Sequence, residues 1–97
     1  SKSKLLNGIS RASEKTSISA EKIELIVEAI EMQLHQKNVR EVNSSVLGEM
    51  VLEQLKEISE VAYVRFASVY RKFHGIHDFV QALESFKTDK SQLATVR

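Results

Sequence analysis

The sequence predicts an all-α fold, a compact bundle of about five helices, on three observations. The 97 residues include no proline and three glycines, which favours long helices over a turn-rich β fold. Apolar residues recur at steps of three and four along most of the chain. Over Glu57–Phe73 the stripe Ile58, Ala62, Phe66, Val69 and Phe73 persists for about four turns. Val61, Tyr63, Val64, Ala67 and Tyr70 flank it. The segment Val61–Phe66 is also rich in β-branched and aromatic residues, as a strand would be. No glycine or proline interrupts the stretch between Gly48 and Gly75, and that length decides for a central buried helix.

The other elements follow in order. A first helix is expected over Ser3–Glu14, with Leu5, Leu6, Ile9 and Ala12 as its apolar face. Glu14–Ser17 is polar and connects. Ser19 can accept from the free amides of the next turn, and Ile18 and Ile23 have the spacing of a hydrophobic staple. The second helix, Ala20–Gln36, turns Ile23, Ile26, Val27, Ile30 and Leu34 inward. Its first turn carries Glu21 and Glu24 and its last His35, as the helix dipole prefers. Lys37 and Asn38 stop it, and Val39–Val42 is short and extended. Asn43 or Ser44 caps a third helix, Ser44–Lys56, with Leu47, Met50, Val51 and Leu55 inward. Ser59 breaks or caps again, and the central helix follows. Gly75 is placed to terminate it in a left-handed conformation. A fifth helix, Ile76–Phe86, is expected to bury Ile76, Phe79, Val80, Leu83 and Phe86. Residues 87–97 are polar, with isolated Leu93 and Val96, and are expected to form a flexible tail.

Composition excludes several classes. The length is that of one domain. The formal charge of +1 leaves no basic footprint for nucleic acid. Without cysteine there is no disulfide framework and no thiolate zinc site. That fits a cytoplasmic protein. No apolar run is long enough to span a membrane, and the N-terminus does not read as a signal peptide. The first residue is not methionine, which suggests a processed product or a fragment.

No catalytic constellation is present: no nucleophile elbow, no glycine-rich phosphate loop and no carboxylates that periodicity forces together. His74 and His77 stand three apart, but Gly75 between them argues against a zinc-binding helix face. Arg65, Ser68, Arg71 and Lys72 interrupt an otherwise apolar helix with donors suited to an anion. Alternatively they pair with Glu49, Glu53 and Glu57 of the third helix.

The twelve residues Glu60–Arg71, spelling Glu-Val-Ala-Tyr-Val-Arg-Phe-Ala-Ser-Val-Tyr-Arg, resemble the hallmark of the NrdR family. These are bacterial transcriptional repressors of ribonucleotide reductase genes. Lys4-Leu5-Leu6, Gly8-Ile9, Arg11-Ala12 and Glu14-Lys15 resemble the first helix of that family's ATP-cone. Arg40-Glu41-Val42, Ser44, Leu47-Gly48-Glu49 and Val51 resemble its third helix, and Phe73, Gly75-Ile76 and Asp78-Phe79 its last. The likeness implies an ATP-cone, here its helical part, over 1–86. Two features of the family are missing from this sequence: the four-cysteine zinc ribbon that engages operator DNA, and the first hairpin of the cone. Thr16-Ser17 also stands where an Arg-Pro pair is usual.

The resemblance implies a nucleotide-sensing domain that binds ATP or dATP and changes its oligomeric state in response, as part of a repressor and not of an enzyme. Zinc would be held only by the ribbon. Carried over by position, Lys4 is a phosphate ligand, Leu5 lies beside the base, and Ser44 places a hydroxyl near it. Tyr63 and Tyr70 are the two hallmark tyrosines, with Tyr70 favoured for nucleotide contact. Arg65 and Arg71 could add planar donors. Without the hairpin, this chain alone is expected to bind nucleotide weakly. Two other functions stay open: the allosteric cone of a ribonucleotide reductase, and a helical protein-interaction module.

Overall fold

A computed structural model describes the backbone of residues 2–95 and the side chains of residues 2–87. Five helices make up its regular structure: α1 (Lys2–Ser13), α2 (Ala20–Gln36), α3 (Ser44–Lys56), α4 (Glu60–Tyr70) and α5 (Ile76–Thr95). Among the described residues there is no strand, so the all-α expectation holds and Val39–Val42 is an irregular loop. The bounds of α2 and α3 coincide with those the sequence predicts.

Each of the three predicted caps forms. The side chains of Ser19, Asn43 and Ser59 accept the amides of Lys22, Val46 and Ala62 at 3.0, 3.0 and 3.2 Å. Each satisfies an amide that the first helical turn would otherwise leave without a partner. Ile18 and Ile23 are both buried, as a staple at the start of α2 requires.

The core is built mostly by α1, α2 and α3. Ile9, Ile26, Val27, Ile30, Val51 and Leu55 are its largest fully buried side chains. α4 lies against α1, α3 and α5, and is central in position. It is not the most buried helix, contrary to the expectation from the sequence that Glu60–Phe73 would be the most buried stretch. Its fully buried positions are the small Ala62 and Ala67, with Tyr63 beside them. Val69 is 80% exposed and Val61 50%. The two alanines let α1 and α3 approach closely, so the helix reaches its central place by being thin on that side. Val64 and Phe66 are only partly buried against the core.

The ends of α4 also depart from expectation. The helix stops at Tyr70, and Lys72, not Gly75, adopts positive φ, at 54°. Gly75 instead opens α5, its carbonyl accepting the amide of Asp78 at 3.1 Å. Asp78 reaches back to accept the amide of His74 at 2.8 Å, which closes the N-terminus of α5.

α5 packs chiefly on α4. Of the residues expected to be buried there, Phe86 is buried and Leu83 partly so, while Ile76, Phe79 and Val80 are exposed. Ala82 is buried in their place. A single supporting helix covers only a narrow strip, and the apolar arc of α5 is wider than that strip. Phe86 meets Tyr63 with ring centroids 5.4 Å apart, and Phe73 meets Phe79 edge-on at 4.9 Å. The expected tail over 87–97 lies, apart from Lys87 and the helical backbone to Thr95, outside the described residues.

Candidate functional site

α1 presents Lys4, Leu5, Gly8, Arg11 and Ala12 along one face, at steps of four and three. That face looks onto Ser44, Leu47 and Gly48 of α3 and onto Arg65, Phe66, Val69 and Tyr70 of α4. Together the three helices enclose a cavity of about 480 Å³. Its walls are mostly apolar or aromatic. Among the described residues, three cations line it, Lys4, Arg11 and Arg65, and no carboxylate does.

The aromatic wall is held in place. The Tyr70 ring lies across the backbone of Gly48, so close that a Cβ at that position would overlap Cε1, Cζ and Cδ1 of the ring. The Tyr70 hydroxyl donates to the carbonyl of Ser45, one turn earlier on α3. Phe66 stacks with Tyr70, ring centroids 6.1 Å apart and planes at 26°. A glycine inside a helix costs about 1 kcal/mol relative to alanine. Here that cost has a reason, because any side chain at position 48 would displace Tyr70.

Arg65 has a structural task. Its guanidinium donates to the carbonyls of Ala12 and Glu14, at and just beyond the C-terminus of α1. A cation there satisfies carbonyls that the ending helix leaves open and complements its dipole. Ser68 donates within α4, to the carbonyl of Arg65 at 2.7 Å.

Five residues that the sequence points to come together here: Lys4, Leu5, Ser44, Arg65 and Tyr70. Two do not. Tyr63 is buried in the core against Phe86, with the Lys56 ammonium 5.9 Å from its ring centroid. Arg71 turns away to grip Glu49, its Nη2 3.0 and 3.2 Å from the two carboxylate oxygens. Burial opposes the charge on Arg71, but the Glu49 carboxylate and the Tyr63 hydroxyl together outweigh it and raise the guanidinium pKa above its ordinary value. The pairing of an α4 donor with α3 is thus met at Glu49. Glu53 pairs instead with Lys56, at 3.6 Å.

Sequence reasoning missed Gly8, Arg11, Ala12, Leu47, Gly48, Phe66 and Val69 as cavity residues. Two of these left a signal. Arg11 stands two turns from Lys4 on the same face, and Gly48 is an interior helical glycine. Phe66 and Val69 left none, because a helical stripe marks a core and a cavity wall alike.

A second recess, of about 670 Å³, lies between the connection that follows α4 and the face of α5. Arg71, Lys72 and His74 line it, but so do Asp78 and Glu84, along with Gln81 and Ser85. Among the described residues, no group of three His, Cys, Asp or Glu could hold a metal ion. No described helix is long and apolar enough to cross a membrane.

Comparison with known proteins gives the cavity a context. Over 96 residues the chain is 68% identical to "Transcriptional repressor NrdR" of Prochlorococcus marinus strain MIT 9211, covering 99% of this chain and 60% of that protein. The corresponding repressors of Prochlorococcus marinus strain MIT 9303 and Synechococcus sp. strain CC9902 are 57% and 54% identical, again over 99% of this chain and each with 61% of the relative covered. The chain therefore spans about three-fifths of the length of these relatives. Its likeness to NrdR repressors is borne out along nearly its whole length. Residues 1–76 match the ATP cone domain, and with most of its length so matched the chain belongs to the ATP-cone family.

Proposed function

We propose that this chain is the nucleotide-sensing and oligomerisation region of a bacterial transcriptional repressor that controls ribonucleotide reductase genes, and that an adenine nucleotide, ATP or dATP, occupies the cavity between α1, α3 and α4. The observation that carries this reading is the lining of the cavity: aromatic and aliphatic walls, three cations and no carboxylate. A flat apolar base suits the space between Leu5, Leu47 and the Phe66–Tyr70 pair. Phosphates suit Lys4, close to the amides at the N-terminus of α1. Ser44, at the first position of α3, offers a hydroxyl near the base.

The repressor role is taken from the relatives, each named a transcriptional repressor. It is a regulatory role with no catalytic step. In the intact protein, operator DNA is engaged, and zinc held, by a ribbon outside the span of this chain. The working compartment is the cytoplasm. Self-association draws support from large apolar side chains left exposed on α4 and α5: Val69, Ile76, Phe79 and Val80.

Calorimetry with ATP and dATP tests the proposal, on this chain, on the full-length repressor, and on both carrying Lys4→Ala. The full-length protein is expected to bind more tightly than this chain. Loss of one charge-assisted contact, roughly 1.5–3 kcal/mol, should weaken binding about tenfold to a hundredfold. If Lys4→Ala leaves the affinity of the longer protein untouched, the assigned site is wrong. Sedimentation that shows only monomer at high concentration, with and without nucleotide, would refute the oligomerisation role.

A further inference from the structure

We infer that Arg11, rather than Arg65 or Arg71, is the second phosphate-binding cation of the cavity, and that it sets the preference for a triphosphate over shorter adenine nucleotides. The inference rests on the nucleotide reading above. It is drawn from which cations around the cavity are already committed. Arg71 is outside the cavity and forked onto Glu49. Arg65 lines the cavity, but its guanidinium is held by the two carbonyls at the end of α1. Turning it toward a phosphate would uncap that helix. Arg11 also lines the cavity, and its side chain makes no hydrogen bond or ion pair among the described residues. Its charge is available without breaking anything.

Position agrees with availability. Arg11 is seven residues after Lys4, so it sits on the same face of α1, roughly 10 Å further along the helix axis. Two long flexible side chains set at that spacing can converge on one polyphosphate chain laid along α1. Among the described residues, nothing acidic lines the cavity to compete for Arg11. The planar guanidinium fork suits phosphate oxygens, which it can hold by two parallel bonds where an ammonium acts as a point charge.

The experiment measures binding of adenosine, AMP, ADP, ATP and inorganic tripolyphosphate to this chain and to its Arg11→Ala, Arg11→Lys and Arg65→Ala variants. Thermal melting of each variant runs alongside. Arg11→Ala should melt with the parent, since its side chain has no described partner. It should weaken ATP and tripolyphosphate about tenfold or more, ADP less, and leave AMP and adenosine unchanged. Arg11→Lys should recover part of the loss. Arg65→Ala should instead lower the melting temperature and weaken all ligands together. An equal loss for adenosine and ATP in Arg11→Ala, or no loss for either, overturns the inference. Should tripolyphosphate bind in an Arg11-dependent way while no adenine compound binds any better, the adenine reading falls and the anion site at Arg11 stands. If nothing binds the parent chain, the same series is run on the full-length repressor, where an ATP affinity that Arg11→Ala leaves unchanged overturns the inference and an absence of any adenine-nucleotide binding overturns the nucleotide reading as well.

Discussion

Two recesses of the molecule, the α1–α3–α4 cavity and the one at the α4–α5 junction, differ in a way that volume does not capture. The cleft between the α4–α5 connection and α5 is the larger of these two, about 670 Å³ against about 480 Å³. Yet its cations face Asp78 and Glu84, and Arg71 is already spent on Glu49. Among the described residues, the smaller cavity between α1, α3 and α4 is lined by three cations and no acid, against walls of leucine, valine and aromatic rings. A folded chain normally balances charge locally, because an unpaired charge in a partly dry recess is costly. An imbalance that the fold does not correct is therefore a better sign of a ligand than empty space. The α4–α5 cleft solves its electrostatics internally, and the α1–α3–α4 cavity leaves part of the solution to something that binds.

The comparison is broken most severely at Gly48. Gly48→Ala places a methyl carbon where the Tyr70 ring now lies, and the ring must leave the α3 backbone. The Tyr70–Ser45 hydrogen bond and the Phe66 stack go with it. Overpacking of this kind costs about 1–3 kcal/mol of stability. ATP binding should fall below detection, because the displaced ring fills the cavity. The double variant Gly48→Ala, Tyr70→Ala removes the overlap and should recover stability relative to Gly48→Ala alone. A single variant that melts and binds like the parent would mean that Tyr70 is not fixed by Gly48. Gly8→Ala is the control, since a Cβ there meets Phe66 at an ordinary 3.5 Å.

On the α4–α5 side the same comparison predicts small effects. Arg71→Ala removes an exposed ion pair, and such pairs contribute roughly 0.2–1 kcal/mol. Stability should drop within that range, and ATP affinity should not change. An affinity loss of tenfold would return Arg71 to the nucleotide site that the sequence assigns it, and the contrast between the recesses would fail.

The fold was legible where chemistry is local. Ser19, Asn43 and Ser59 announce helix starts because a short polar side chain just before an apolar stripe has one good use there. The lining of the site was legible only in part. Lys4, Leu5, Ser44, Arg65 and Tyr70 are visible through a resemblance, and the cavity gathers them. Tyr63 and Tyr70 are seven residues apart on one helix and look alike in sequence, yet one packs on Phe86 and the other on Gly48. Which face of α4 meets α1 and which meets α5 is decided by the packing of four helices, and no pattern within α4 contains it. The exposure of Ile76, Phe79 and Val80 was illegible for a related reason: an apolar arc states what a helix can bury, not what arrives to cover it.

The smallest expected effect concerns the turn that joins the two recesses, where the glycine and the strain are in different places. Lys72 carries φ of 54°, a conformation in which a Cβ crowds the following carbonyl at roughly 1–2 kcal/mol. Glycine relieves that crowding but loses more backbone entropy on folding, roughly 0.5–1 kcal/mol. Lys72→Gly should therefore stabilise the protein slightly, by about 0.5 kcal/mol, and leave ATP affinity unchanged. Gly75, by contrast, has no positive φ, and a methyl group added to it would meet nothing within 4 Å. It stands just before the first residue of α5, where alanine caps less well but restricts the unfolded chain more. These opposing terms put Gly75→Ala within about 0.5 kcal/mol of the parent. Urea melts of the two variants decide the matter. If Gly75→Ala costs more than about 1 kcal/mol while Lys72→Gly also destabilises, then Gly75 is the left-handed terminator after all, and the path from α4 to α5 differs from the one described.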